Sequence, residues 1–313
     1  MVNQKSKPHH EAPSARARDL VRGAFDLHVH TGPDLLPRSA SDLELAYRCR
    51  ELGLAGFVIK SHYIPSPPRA AVVRALVPSI TALGSVVLNA AIGGINPVAV
   101  EIAARAGARI VWMPTFDGVN EMGGHSSFPP GIAPPQWARL QQEMREQGIR
   151  SEPVHVIDEQ GEVLPEVRSV LRLIAKHQMV LATGHLNRAE IFAVVAAART
   201  EGVQDIIITH PDYPAQNLSP EDQSALVQQG AFLERCFAPS YSGKVPWERM
   251  FATIRATGPE HSFLSTDLGQ PQNPPIEDGL ALMADQLLTA GFTEAEIQRM
   301  AVTNTRRLAL GEG

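Results

Sequence analysis

The chain has 313 residues, with 28 Lys and Arg against 33 Asp and Glu and a formal net charge of −5. That balance gives no basic surface for a nucleic-acid backbone or an anionic membrane, so we expect neither as a partner. Hydrophobic residues make up 44 % of the chain, which excludes global disorder. Two cysteines cannot build a disulfide framework, and the cytoplasm is therefore the expected compartment.

Residues 1–22 are rich in Pro, Ser, Ala and Arg and contain no apolar stretch. We expect a flexible N-terminal arm here, rather than a secretory signal or a membrane span. Residues 23–313 are expected to form one domain.

Short apolar, β-branched segments recur along this domain, and most end in a polar residue followed by a helical pattern. The predicted strands cover residues 24–30, 55–62, 85–91, 109–114, 180–185, 205–210, 231–236 and 261–267. Eight strand–helix units predict a (β/α)8 TIM barrel. An open doubly wound sheet is the alternative, but no G-x-G-x-x-G motif follows any of the strands.

The longest connection joins the fourth and fifth strands, and we expect an insertion over residues 116–164. Its first part is a Gly- and Pro-rich loop, followed by a helix over 136–147 and a small hairpin over 154–164. Two helical segments close the chain, so the barrel is predicted to carry an extra C-terminal helix.

Histidines collect at the carboxyl ends of the predicted strands, where barrel enzymes place their active sites. The chain has 11 histidines, and five of them lie at such ends: His28, His30, His62, His185 and His210. Asp267 ends the eighth strand, and Lys60 precedes His62 by two residues.

Side chains alternate along a strand, so residues 26, 28 and 30 are expected to share the inward face, and residues 25, 27 and 29 the outward face. By the same alternation, Lys60 and His62 point into the barrel mouth. The strand-end residues are therefore expected to meet in one site.

Imidazole and carboxylate groups suit Zn²⁺ and related divalent ions. We expect a metal site with His28, His30, His185, His210 and Asp267 as ligands. Asp267 has a second role open to it, as the general base. An isolated strand-end histidine is more often a hydrogen-bonding residue, and only the combination points to a metal.

Lys60 is unusual, because a lysine aimed into a barrel mouth needs a partner or a chemical change. One interpretation is an ion pair with Asp26 or Asp267, or a contact with substrate. The other is carboxylation by CO2, which makes Lys60 a bridging metal ligand. His62 is then either an additional ligand or a hydrogen-bond donor to substrate.

These residues resemble the pattern of the amidohydrolase superfamily of metal-dependent hydrolases. The resemblance extends over residues 23–311 and rests on four short motifs: Asp26-Leu27-His28-Val29-His30, Gly184-His185, Thr209-His210-Pro211 and Ser265-Thr266-Asp267. The resemblance implies one or two divalent ions, with Asp267 both ligating and moving protons. One departure marks an atypical branch: the family's bridging lysine usually ends strand four, which here has no lysine, and Lys60 on strand two is the substitute.

The favoured function is hydrolysis of an amide-type C–N bond in a small, cyclic substrate, with catalytic roles for Asp267, His62 and Lys60. A lactonase or phosphoesterase on the same site, a mononuclear decarboxylase and a non-catalytic metal-binding barrel are the alternatives. Six further residues on loops after the strands are candidate substrate contacts: Arg38, Asn89, His125, Tyr213, Arg235 and Tyr241. The oligomeric state stays open, with a homo-oligomer among the alternatives.

Overall fold

The computed structural model describes residues 11–122 and 136–311. Within them, one parallel sheet runs in the order β1 to β8. The strands are β1 (Phe25–Val29), β2 (Gly56–Ile59), β3 (Thr81–Val87), β4 (Ala108–Trp112), β5 (Val180–Ala182), β6 (Asp205–Ile208), β7 (Phe232–Cys236) and β8 (Ser262–Ser265). A parallel bridge between Val29 and Leu268 joins the first strand to the segment after the last. The predicted (β/α)8 barrel is confirmed.

Helices separate the strands and form the outer layer, and a few more extend it at the ends. They are α1 (Ala15–Leu20), α2 (Asp42–Leu52), α3 (Pro67–Leu76), α4 (Pro97–Arg105), α5 (Val119–Met122), α6 (Gln136–Glu146), α7 (Pro165–Lys176), α8 (Arg188–Thr200), α9 (Pro220–Gln228), α10 (Phe237–Tyr241), α11 (Trp247–Thr257), α12 (Ile276–Thr289), α13 (Glu294–Gln298) and α14 (Asn304–Leu310).

The helix boundaries follow from local capping chemistry. Ser41 and Glu44 form the predicted capping box at the start of α2, and Gly53 ends that helix in the left-handed conformation. Asn187 and Glu190 form a second capping box, and α8 begins three residues after the strand-end histidine at position 185.

The barrel interior is apolar at its base and polar at its mouth. Inward residues from successive strands form one buried cluster that includes Val58, Ile110, Trp112 and Ile207. Outward residues pack against the helices in two further buried clusters. The polar groups at the mouth therefore lie above a buried apolar layer inside the barrel.

The prediction of which β1 side chains point into the barrel is wrong in part. Phe25 and Leu27 lie in the interior cluster, whereas Asp26 accepts hydrogen bonds from Thr266, the residue after β8. The pairing of β1 with β2 shifts register between Asp26 and Val29. Because such a shift adds a residue to one strand, the alternation changes there, and His28 points inward beside Leu27.

The two ends of the chain pack onto the barrel. Residues 15–20, which fall within the predicted arm, form α1, which packs against α12 with Ala17 and Leu20 buried. The predicted C-terminal helix is present as α14. Its first residue, Asn304, donates to the backbone carbonyl of Ser262 at 2.7 Å and ties the helix to the base of β8.

Between β4 and β5, the predicted insertion holds α5 and α6, and an antiparallel bridge joins Ile157 to Val163 where the hairpin was expected. No helix within the described residues 11–122 and 136–311 is long and apolar enough to cross a membrane.

Candidate metal centre

Three predicted ligands meet at the seam between β1 and β8. Asp267 Oδ1 lies 3.1 Å from Nε2 of His28 and 3.1 Å from Nε2 of His30. Two backbone hydrogen bonds fix this arrangement: Asp267 N donates to His28 O at 2.9 Å, and His30 N donates to Leu268 O at 2.8 Å. We call His28, His30 and Asp267 the seam cluster.

Backbone strain accompanies the seam cluster. Asp267 has a φ of +53°, which is uncommon for a residue with a side chain. Two residues on, Gly269 has a φ of +138°, and a Cβ atom there would lie 1.8 Å from the carbonyl oxygen of His30. Only glycine fits where the chain passes this close to a candidate ligand.

Lys60 lies beside the seam cluster. It is 1 % exposed, and its Nζ is 2.9 Å from Nε2 of His28 and 4.1 Å from the centre of the Trp112 ring. The alternative ion pair with Asp26 is not formed, because the Asp26 carboxylate accepts hydrogen bonds from Thr266. Burial lowers the pKa of Lys60, and the negative charge of Asp267 opposes that shift.

Glu234 is a buried acid of the site that sequence reasoning missed. Its Oε1 accepts hydrogen bonds from Nδ1 of His28 and from Oγ of Ser265, both at 2.9 Å, and its Oε2 accepts one from the backbone N–H of His210 at 3.3 Å. The strand alternation contained the signal, since Glu234 lies two residues before the inward Cys236.

His185 and His210 form a second group, which we call the loop cluster. Their ring centroids are 5.1 Å apart. Nδ1 of His185 lies 2.8 Å from Oε1 of Glu121 on α5, and Nδ1 of His210 lies 3.1 Å from Oε1 of Gln216. Both partners come from the connections that follow β4 and β6, and no sequence pattern identified them.

His62 lies between the two clusters. Its ring centroid is 5.0 Å from that of His30 and 6.1 Å from that of His185, and its ring stacks on Phe116 at 3.9 Å. Its Nδ1 is 2.9 Å from Oγ1 of Thr115. All five strand-end histidines are therefore brought together, as the sequence predicts.

Burial favours the neutral imidazole at His30 and His210, whereas at His28 the carboxylates of Asp267 and Glu234 outweigh burial and raise the pKa. Burial lowers the pKa of His30 to about 3, with Arg38 adding to the effect, and it lowers the pKa of His210 to about 3, with His185 adding. Burial raises the pKa of Asp267, but the imidazoles of His28 and His30 outweigh it and hold that pKa well below its usual value. Neutral imidazoles and an ionised carboxylate are the forms that ligate metals.

The donor set fits a divalent cation. Ligand atoms of His28, Cys236 and Asp267 all lie within 4.8 Å of one another, so one carboxylate, one imidazole and a thiol are close together. Nδ1 of His30 is buried without a hydrogen-bond partner among the described residues. His28, His185 and His210 have their Nδ1 held by a carboxylate or amide oxygen, an arrangement typical of histidines that ligate through Nε2.

Two candidate substrate contacts lie near the histidines. The ring of Tyr213 is 5.1 Å from that of His210. Arg38 forms an ion pair with Asp34 in the loop after β1, and its charge lowers the pKa of His30. Both stay candidates for contact with a substrate. His125 lies outside the described residues.

Two other candidates do not face the mouth. Arg235 is an outward residue of β7, completely buried, and its guanidinium donates to Asp212 at 2.8 Å and to Gln223 at 2.8 Å. Its prediction as a substrate contact is wrong, because alternation turns it into the helical layer. Tyr241 lines a groove with Trp247 and Asp285 that includes none of the five histidines.

Asn89 reaches the mouth but its amide is already used. Its Oδ1 accepts from the backbone N–H of Thr115 at 2.8 Å, and its Nδ2 donates to the carbonyl oxygen of His62 at 3.0 Å and to Oγ1 of Thr115 at 2.7 Å. The prediction of a substrate contact is replaced by a structural role beside His62.

Residues 23–234 match the family described as "Family of unknown function (DUF6282)". Because the match extends over more than half of the chain, the protein belongs to this family. A search of curated proteins gives no match.

Solved structures of similar architecture cover nearly the whole chain. An amidohydrolase from Pseudomonas aeruginosa is 12 % identical with a TM-score of 0.62, over 95 % of this chain and 99 % of that one. The probable dipeptidase PvdM of the same organism is 11 % identical with a TM-score of 0.62, over 94 % and 96 %. A 2,6-dihydroxybenzoate decarboxylase is 13 % identical with a TM-score of 0.51, over 92 % and 99 %. The predicted resemblance to the amidohydrolase superfamily is confirmed as a shared fold.

Proposed function

We propose that this protein is a metal-dependent hydrolase that cleaves an amide-type C–N bond in a small cyclic substrate. One observation carries the proposal. Nδ1 of His28, His185 and His210 is held by a carboxylate or amide oxygen, namely that of Glu234, Glu121 and Gln216. An oxygen acceptor at Nδ1 places the proton there and leaves the Nε2 lone pair for a metal.

The proposed ligands are the seam cluster, the loop cluster and Lys60. A divalent cation held by these residues supplies a Lewis acid and lowers the pKa of bound water, with Zn²⁺ the best fit to imidazole and carboxylate. One or two ions are compatible with the number of ligands.

Asp267 is proposed as the proton carrier. Its side chain is 22 % exposed, whereas that of His28 beside it is completely buried, so Asp267 is the seam-cluster residue that substrate and water reach. In the proposed reaction its carboxylate takes a proton from the attacking water and delivers it to the leaving nitrogen. Neighbouring imidazoles keep it ionised for that role.

Lys60 is proposed to be carboxylated in the metal-loaded protein. The amine adds to CO2 to form a carbamate and releases one proton. Two features favour this: burial disfavours the ammonium form of Lys60, and its Nζ lies against Trp112, an inward residue of β4. That strand is where the resembled family usually carries its bridging lysine, so Lys60 reaches the same part of the mouth from β2.

The function is tested by loading the protein with Zn²⁺, Co²⁺ or Mn²⁺ and assaying cyclic amides, lactones and phosphotriesters. We expect turnover of a cyclic amide that is lost on chelation, restored by metal, and lost in Asp267→Asn. Activity that survives both chelation and Asp267→Asn would contradict the proposal. Turnover of only lactones or phosphotriesters would keep the metal site and overturn the bond type.

Carboxylation of Lys60 is tested separately by ¹³C NMR of the metal-loaded protein in labelled bicarbonate. A carbamate resonance is expected in the wild type and is expected to be absent in Lys60→Met. A metal-loaded wild type without that resonance would overturn the bridging role of Lys60.

A further inference from the structure

The hydrogen-bond partner of His62 differs in kind from those of the other site histidines. His28, His185 and His210 each contact an oxygen that accepts at Nδ1, but His62 contacts the hydroxyl of Thr115. A hydroxyl has one proton to donate and two lone pairs to accept with. Which of these faces His62 decides which ring nitrogen of His62 carries the proton.

Asn89 settles the direction of that hydrogen bond. Its Oδ1 must accept from the backbone N–H of Thr115, and its Nδ2 must donate to the backbone carbonyl of His62. These two bonds fix the orientation of the amide, so Nδ2 also donates to Oγ1 of Thr115, at 2.7 Å. Thr115 thus accepts one hydrogen bond and still has its own proton to place.

Thr115 is completely buried, so leaving its hydroxyl proton without an acceptor is unfavourable. Among the described residues, Nδ1 of His62 is the acceptor within reach of it, at 2.9 Å. The proton therefore points at Nδ1, which must be unprotonated. The proton of the neutral imidazole then sits on Nε2, the opposite of the arrangement in His28, His185 and His210.

We infer that His62 is a catalytic hydrogen-bond donor rather than a metal ligand, with Asn89 and Thr115 as its positioning residues. Nε2–H of His62 has no acceptor among the described residues, and its ring lies between His30 and His185. It is placed to donate to the oxygen of the scissile carbonyl, where negative charge develops during attack by water. This inference rests on the proposed hydrolytic function and names the residue that binds the carbonyl oxygen.

The tautomer is tested on metal-free protein labelled with ¹⁵N-histidine, by long-range ¹H–¹⁵N correlation spectra. The His62 signals are assigned by their loss in His62→Gln. We expect Nε2–H in the wild type and a mixture of tautomers in Thr115→Val, which keeps the backbone bond to Asn89. A wild-type His62 protonated on Nδ1 would overturn the inference, whatever the activity of the enzyme.

Metal binding provides the second readout, by competition with a chelator. His62→Gln is expected to keep the metal stoichiometry and affinity of the wild type, whereas the matched variant His210→Gln is expected to lose at least about 10-fold in affinity. Equal losses in the two variants would make His62 a ligand and refute the donor role. If the wild type binds no metal, the proposed function fails, and the tautomer measurement still decides the state of His62.

Once a substrate is identified, His62→Leu is expected to lower kcat about 100-fold, which is the usual effect of losing one hydrogen-bond donor to an oxyanion. His62→Gln, which retains an N–H donor, is expected to recover part of that loss. A kcat of His62→Leu equal to that of the wild type would contradict the donor role.

Discussion

The seam cluster and the loop cluster are held in different ways. His28, His30 and Asp267 are fixed by backbone hydrogen bonds across the junction of β1 and β8, and their side chains contact one another directly. His185 and His210 follow β5 and β6, and each is oriented by a residue outside the sheet, Glu121 on α5 or Gln216 in the loop after β6. The barrel itself builds the first cluster, whereas the second depends on segments outside the sheet.

Glu234 is the one described side chain that bonds to both clusters. It accepts a hydrogen bond from the His28 ring and another from the His210 backbone. His210 has a φ of +27°, which is strained for a residue with a side chain. The loop cluster therefore depends on support from the barrel interior and from the helical layer. Substitutions of the supporting residues should affect the two clusters to different extents.

The largest effect is expected from Asp267→Asn, which removes the shared carboxylate of the seam cluster. The kcat of the metal-loaded protein should fall by at least about 100-fold, because the amide cannot take the proton of the attacking water. The measurement is steady-state kinetics on the best substrate of the panel. Asp26→Asn is the matched control, since the Asp26 carboxylate accepts hydrogen bonds from Thr266 and from the backbone N–H of His28 rather than from an imidazole; an equal fall in both variants would contradict the assignment.

Arg235→Met is expected to weaken folding and to disturb the loop cluster. The substitution removes the completely buried partner of Asp212, which lies in the loop between His210 and Gln216, and leaves only the more exposed Arg249 at 3.6 Å. Breaking a buried ion pair in this way costs about 3–5 kcal/mol in the free energy of unfolding, measured by denaturant titration. Arg188→Met, which breaks an ion pair whose arginine is exposed, should change the stability little. A fully stable Arg235→Met would argue that this arginine has no structural role.

Glu234→Gln is expected to lower metal affinity about 10- to 100-fold, as loss of an outer partner of a ligating histidine does. Chelator competition measures the affinity. Glu190→Gln serves as control, because Glu190 is a buried acid that caps α8. Since Glu234 contacts both clusters, every bound ion should be affected; loss confined to one ion would show that Glu234 supports only one cluster.

Glu121→Gln should give the smallest effect, a loss of affinity of up to about 10-fold. Glu121 contacts His185 alone among the five histidines, and the amide oxygen of Gln still accepts from Nδ1. Calorimetric titration with Zn²⁺ should show weaker binding at the loop cluster and unchanged binding at the seam cluster. Weaker binding at the seam cluster would mean that the two clusters do not bind metal separately.

The strand pattern was sufficient to predict the barrel and the meeting of the five histidines with Asp267 and Lys60, because alternation and chain order determine which residues reach the mouth. It was not sufficient for the facing of Asp26, because the register shift in β1 changes the alternation. It placed Arg235 among the substrate contacts, although alternation with Cys236 turns Arg235 outward.

The hydrogen-bond partners of the site histidines were harder to predict from the sequence. Glu121, Gln216 and Thr115 reach the histidines from loops, whose course depends on packing rather than on a repeating pattern. Glu234 was within reach of sequence reasoning, since it shares the inward face of β7 with Cys236. The role of His62 could be inferred only from the structure, because it depends on the direction of the hydrogen bonds around Thr115.

Anomalous diffraction from crystals grown with Zn²⁺ tests the central claim most directly, because it locates each ion and its ligands together. We predict a peak bound by Nε2 of His28 and His30 and by the carboxylate of Asp267, with His62 outside the coordination sphere. Crystals without a peak at the mouth, or with an ion held elsewhere in the fold, would contradict the claim that these strand-end residues form a metal centre.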